Sequence, residues 1–179
     1  LYFIFNFIVF YVNFCYTNYI MEKERYNHLN SYLKNKFGQR TLKICVDGGF
    51  TCPNRDGKKG YGGCIFCGER GSGEHLKTID ISSQVKKHLE SYRGQRAEKF
   101  IVYFQNFTNT YDSIDNLRKK YTSALVDDRI VGIAIATRPD CLDEDIVKLL
   151  SEFTDKYYVS VELGLQTIHE KTSKLINRG

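Results

Sequence analysis

Between Cys45 and Glu74 the chain reads CVDGGFTCPNRDGKKGYGGCIFCGERGSGE, and nine of its 14 glycines fall in this stretch. Such a segment has too few side chains to bury a core of its own. Glycine there lets the backbone wrap closely around something else. Three cysteines, Cys52, Cys64 and Cys67, stand in it with the spacing C-x11-C-x2-C. Thiols gathered on a pliable loop point to metal.

The cysteine set leaves two kinds of metal open. A structural zinc ion takes four protein ligands, usually from two CxxC-type pairs. Here there is one such pair and one outlying cysteine, so a structural zinc or simple electron-transfer module needs a fourth ligand from Cys45, Cys141 or His75. Three thiolates around a cubane of four irons and four sulfides would instead leave one iron without a protein ligand, and therefore reactive. Six cysteines in 179 residues are too few for a secreted disulfide scaffold. Thiolate ligands must also stay reduced to hold metal, which predicts a cytoplasmic location.

Residues 1–20, LYFIFNFIVFYVNFCYTNYI, carry no charge and have the length of a membrane span. They lack a basic n-region and a small-residue cleavage site. Asn6, Asn13, Asn18 and the many aromatics also suit a spanning helix poorly. The only methionine is Met21, directly before an ordinary polar segment. Residues 1–20 are therefore read as an upstream translation artefact, with a membrane anchor as the rival, and Cys15 within them receives no role. Residues 21–40 form a helical lead-in, with Tyr26, Leu29, Tyr32 and Leu33 on one face and Gly38 as its stop.

Residues 41–179 alternate apolar runs with amphipathic ones. TLKICV (41–46), FIVYF (100–104), IVGIAIA (130–136) and residues 157–165 read as strands. Three helical stripes lie between them: Ile81, Val85, Leu89 and Tyr92; Ile114, Leu117, Tyr121 and Leu125; Leu142, Ile146, Leu149, Leu150 and Phe153. Residues 168–177 begin a fourth helix. Strict alternation with apolar strands argues an α/β fold with a parallel sheet and right-handed crossovers. Four βα units are too few to close an eight-stranded barrel. Functional groups in such folds collect at the C-terminal strand ends, where Cys52–Cys67, Gln105–Thr110, Thr137–Asp140 and Glu162–Gln166 all fall. The formal charge of +5, from 26 basic and 21 acidic residues, permits a polyanionic partner such as RNA without requiring one.

CPNRDG followed by GGCIFC resembles the cluster loop of radical S-adenosylmethionine (SAM) enzymes, in particular the bacterial YhcC-type proteins. The spacing departs from the commoner C-x3-C-x2-C but matches that subgroup. ATRPD (136–140) and VELGLQT (161–167) continue the likeness and are also similar to the Elongator catalytic subunit, a tRNA-modifying radical SAM protein. The resemblance covers residues 43–179. It implies a truncated partial (βα)6 TIM-like barrel with Gly179 as the truncation point. It also implies a [4Fe-4S] cluster on Cys52, Cys64 and Cys67, and reductive cleavage of SAM to a 5′-deoxyadenosyl radical that abstracts hydrogen from a substrate. An electron donor such as flavodoxin or ferredoxin follows from that chemistry.

The same resemblance implies the SAM contacts. Phe66 is expected near the adenine, although alone it reads equally as a core aromatic. Gln105 and Asn106 stand where many relatives carry a Gly-Gly-Glu motif that binds the SAM amino group, absent here; the resemblance passes that role to these amides or to the Thr108 hydroxyl, and the rival reading is an Asn/Thr-rich turn satisfying its own backbone. Gln166 resembles a polar residue near SAM. Arg138 and Glu162 are the two charges expected to act, since a carboxylate facing a barrel interior is costly unless paired. A structural Glu162–Arg138 bridge is the competing assignment. Arg55, Lys58 and Lys59 are read as a solvated turn.

Overall fold

The computed structural model describes residues 25–73 and 80–179. The hydrophobic stretch 1–20, Met21 and His75 lie outside the described residues. Four strands, β1 (Thr41–Val46), β2 (Lys99–Phe104), β3 (Ile130–Thr137) and β4 (Tyr158–Leu163), form one sheet in the order β1-β2-β3-β4. Every neighbouring pair is parallel. A doubly wound sheet reverses its strand order midway; sequential order with right-handed crossovers keeps the crossover helices on one face and makes a segment of barrel wall.

Those helices are α2 (Ile81–Glu90), α3 (Ile114–Ser123) and α4 (Glu144–Thr154). Their apolar stripes meet the outward side chains of the sheet in one core that includes Ile44, Val46, Val102, Phe104, Ile133 and Ile135. Tyr121 lies at its centre, fully buried, with ring centroids 5.3 Å from Phe104 and 6.0 Å from Phe153. Burying each large apolar side chain here contributes about 1.5–3 kcal/mol. Side chains one residue before the helices fix their starts: Asp80 accepts from the Ser83 N–H at 2.9 Å and Asp143 from the Ile146 N–H at 2.9 Å. Ser113 caps α3 through the Asn116 N–H at 3.4 Å. Tyr92, expected on the α2 stripe, lies beyond the helix end and is exposed.

The lead-in helix is shorter than the sequence predicts. α1 runs Leu29–Phe37, begins where the His28 ring accepts from the Asn30 N–H, and ends at Gly38, whose φ of 72° admits glycine without strain. Tyr26 and Leu29 are exposed, and of the expected stripe only Leu33 is buried. Leu33 packs with Ile101 and Ala134 on the sheet face opposite α2–α4, and Phe37 meets Tyr158 edge-on at 5.9 Å. α1 therefore covers the inner face of the curved wall. α5 (Glu170–Leu175) follows β4 and has no buried residue. No described helix is long and apolar enough to cross a membrane.

Candidate functional site

The glycine-rich loop follows β1, and the segments after β2, β3 and β4 lie on the same C-terminal rim of the parallel sheet. In that loop Cys64 is buried and Cys52 and Cys67 are half-buried, all three as free thiols. The backbone turns on itself at each cysteine: Arg55 N–H donates to the Cys52 carbonyl at 2.8 Å and Cys67 N–H to the Cys64 carbonyl at 3.0 Å. Gly57, Gly62, Gly63 and Gly71 take positive φ there, as the wrapping demands. Among the described residues no three His, Cys, Asp or Glu side chains converge tightly enough to hold a single metal ion. Burial pushes the Cys67 thiol up in pKa, the neighbouring Cys64 adds to this, and Arg55 pulls it back. Metal binding there must therefore displace protons.

Four loop and tail residues that sequence reading missed or set aside organise this loop. Arg55, read as solvated, donates to the carbonyls of Cys67 (3.3 Å), Gly68 (2.5 Å) and Glu69 (3.2 Å), and its guanidinium lies 5.2 Å from the Phe107 ring centre. Its charge is spent on holding the loop's second half. Asn54, 1% exposed, donates through Nδ2 to the Asn177 carbonyl at 2.6 Å and to Cys64 Sγ at 3.5 Å. Asn177 in turn donates to the Gly63 carbonyl at 2.7 Å, and Arg178 Nη1 lies 4.0 Å from Cys64 Sγ. The residues after α5 thus fold back onto the cysteine loop. The local sequence NRG carries no periodic or spacing signal that announces this.

After β2 the chain forms a buried polar bracket. Asn106, Thr108, Asn109 and Thr110 are all at most 1% exposed. Thr108 N–H donates to the Thr51 carbonyl at 3.2 Å, and Asn109 donates to the Ala136 carbonyl through both its N–H and Nδ2. Thr110 Oγ1 lies 2.6 Å from Thr137 Oγ1 and donates to the Cys141 carbonyl. Tyr121 closes the bracket from the core with a 2.6 Å bond to the Asn109 carbonyl. Gln105 exchanges bonds with Ser72, Nε2 donating to the Ser72 carbonyl and Ser72 Oγ to the Gln105 carbonyl, both at 3.1 Å. Both amide atoms of Asn106 are buried without a hydrogen-bond partner among the described residues. A Cβ on the adjacent Gly73 would lie 1.5 Å from Asn106 Oδ1, so only glycine fits against it.

Arg138 and Glu162 do not meet each other as a pair. Arg138, 4% exposed, forks onto Asp140 with Nε and Nη2 each 2.8 Å from a carboxylate oxygen, and Nη2 also donates to the Gly179 carbonyl. Its Nη1 is buried without a partner. Lys59, also read as solvated, reaches Asp140 at 2.9 Å. Burial raises the Asp140 pKa, but hydrogen bonds from Arg138 and Lys59 outweigh that and hold it well below the usual carboxylate range. Glu162 instead pairs with Lys43 across the inner face of the wall. Lys43 also lies 3.7 Å from the Tyr103 ring centre. Burial, the Glu162 charge and a hydrogen bond to Glu162 push the Tyr103 phenol far up. The expected need of Glu162 for a cation is met, by a strand-β1 lysine that sequence order gave no reason to choose.

Phe66 and Gln166 are both exposed on this rim, and Gln166 takes φ 73°. Cys45 lies on the inner sheet face beside Lys43 and Glu162, and burial raises its thiol pKa. Cys141 is half-buried near Asp140, Arg138 and Cys52. A broad cleft lined by Lys36, Asp128, Ile130, Lys156 and Tyr157 opens at the opposite, N-terminal ends of the strands and contains no cysteine.

Residues 51–179 match the model of the Radical SAM superfamily. The chain is 46% identical over 165 residues to the Bacillus subtilis protein YtqA, covering 89% of this chain and 51% of that one. It is 38% identical over 154 residues to the Escherichia coli protein YhcC, covering 86% and 50%, and 37% identical over 153 residues to the Methanocaldococcus jannaschii protein MJ0486, covering 83% and 46%. The chain spans about half the length of these relatives. With its cysteine loop at the head of a sequentially ordered parallel wall, four βα units of the TIM-like core, the chain belongs to the radical SAM superfamily as a YhcC-type member.

Proposed function

We infer that this chain carries the cofactor-binding part of a radical SAM enzyme, with Cys52, Cys64 and Cys67 as the protein ligands of a [4Fe-4S] cluster. The observation that carries this is the placement of all three cysteines in one glycine-wrapped loop on the C-terminal rim of the sheet. The donor set fits the cluster better than a single zinc ion. Cubane thiolates each bind a different iron, so they need not converge on one point, and among the described residues no three candidate ligands do. When bound, the cluster supplies an electron that splits SAM into methionine and a 5′-deoxyadenosyl radical, which takes hydrogen from the substrate. A carrier of the flavodoxin or ferredoxin class delivers that electron.

The chain's own contribution is positioning and exclusion of water. Asn106 offers a buried amide and Arg138 a buried Nη1, each with no partner among the described residues; both suit the carboxylate and amino groups of SAM. Gln105 and Thr108 hold the bracket that presents Asn106, and Phe66 and Gln166 border the rim on its open side. Glu162, with Lys43 and Tyr103, forms a charged cluster on the inner face of the wall. Anaerobic reconstitution with iron and sulfide tests the reading: about four irons per chain and an EPR spectrum altered by SAM are expected. Tight stoichiometric zinc without a response to SAM refutes it.

A further inference from the structure

We propose that Asn54 and Arg178 set the reduction potential of the cluster by donating to the sulfur of Cys64, a role that rests on the cluster reading above. Two donors from distant parts of the chain approach one thiol. Asn54 Nδ2 stands 3.5 Å from Cys64 Sγ and Arg178 Nη1 4.0 Å from it, whereas no side-chain donor reaches the sulfur of Cys52 or Cys67 among the described residues. Cys64 is also the most buried of the three, at 4% exposure. Interactions at its sulfur are thus the least diluted by solvent.

Both donors are held for this purpose by other bonds. Asn54 is almost fully enclosed; its Nδ2 also donates to the Asn177 carbonyl, and its Oδ1 is buried without a partner. Gly60 packs closely against that Oδ1, where a Cβ would stand 2.5 Å from it, and Nδ2 faces both Cys64 Sγ and the Asn177 carbonyl. Arg178 is anchored by Nη2 on the Gly164 carbonyl at 2.5 Å, which leaves Nη1 directed at the sulfur. Ile65 N–H on the Ile176 carbonyl, at 3.1 Å, and Asn177 on Gly63 tie the α5 exit to the loop.

Reduction adds one electron, supplied by a low-potential one-electron carrier, and spreads extra negative charge onto the cysteine sulfurs. An N–H dipole and a guanidinium charge at Cys64 stabilise that state more than the oxidised one, so they raise the potential. Because Arg178 lies beyond β4 and α5, this couples the packing of the α5 exit to the ease of electron entry.

The test is an EPR-monitored redox titration of the anaerobically reconstituted chain, with dithionite as reductant, for wild type, Asn54→Leu, Arg178→Gln and Arg178→Lys. Asn54→Leu and Arg178→Gln are expected each to make the reduction constant about tenfold less favourable, which is about 59 mV more negative for one electron. Arg178→Lys, which keeps the charge, falls between Gln and wild type. Iron and sulfide content checks that each variant is loaded, and Arg178→Gln decides the matter should Asn54→Leu load poorly. Loaded variants with the wild-type potential overturn the proposal and leave the cluster reading intact. A wild-type chain that takes up no iron overturns both.

Discussion

Tyr121→Phe tests how the hydrophobic core supports the rim. The phenol is fully buried, and its hydroxyl donates at 2.6 Å to the carbonyl of Asn109, itself at 0% exposure. Burial pushes the phenol pKa up, which favours the neutral, donating form. Phenylalanine keeps the ring and its edge-on contacts with Phe104 and Phe153, so packing is retained. What is lost is the hydrogen bond, with a buried carbonyl left short of a donor. That costs about 1–3 kcal/mol rather than the smaller net value of an exposed bond. With a urea m-value of about 2 kcal/mol/M, the midpoint falls by about 0.5–1.5 M at unchanged m. Tyr121→Leu additionally removes two aromatic pairs and leaves a cavity, bringing the loss to about 3–5 kcal/mol. Urea unfolding followed by far-UV circular dichroism measures both. A Tyr121→Phe protein within about 0.5 kcal/mol of wild type would mean that the Asn109 carbonyl finds another donor, and the account of the bracket would fail.

Three more expectations follow from the site. Cys52→Ala, Cys64→Ala and Cys67→Ala should each abolish iron uptake, whereas Cys45→Ala and Cys141→Ala retain it; loss of iron in either of the last two would restore a fourth protein ligand. Asp140 has a folded-state pKa below its unfolded value, so its pairing with Arg138 and Lys59 contributes stability above about pH 4 that is lost on acidification toward the lower folded value. Asp140→Asn should therefore be less stable than wild type at neutral pH, with the difference shrinking in acid, as thermal melts across pH 2–7 (roughly the span of carboxylate titration) would record. In a Lys43→Met/Glu162→Gln double-mutant cycle, the partly exposed pair should show a coupling of about 1 kcal/mol, since solvent reaches both side chains; zero coupling would place the two charges apart in solution.

Much of the fold was legible because its signals are local. The stripe Val85–Leu89, the stripe Ile146–Leu150–Phe153 and the apolar run FIVYF each need only neighbours in sequence to reveal a helix face or a buried strand. The lead-in misled because Tyr26 and Leu29 have the right period, yet Tyr26 lies before α1 begins and both are exposed. Periodicity reports a possible face, and only the sheet decides whether that face is covered.

The chain order of residues determined the alternation of strand and helix, the parallel sheet and the rim on which Cys52, Cys64 and Cys67 stand, because backbone periodicity and crossover handedness act over a few tens of residues at most. The tertiary structure alone decided the partners: Lys43 for Glu162, Asp140 for Arg138, Arg55 for the cysteine-loop carbonyls, and Asn54 and Arg178 for Cys64. Those choices join residues as far apart as 119 positions. They depend on sheet curvature and on where the chain returns, and a hydrogen bond or ion pair forms with whichever group the packed fold brings within reach.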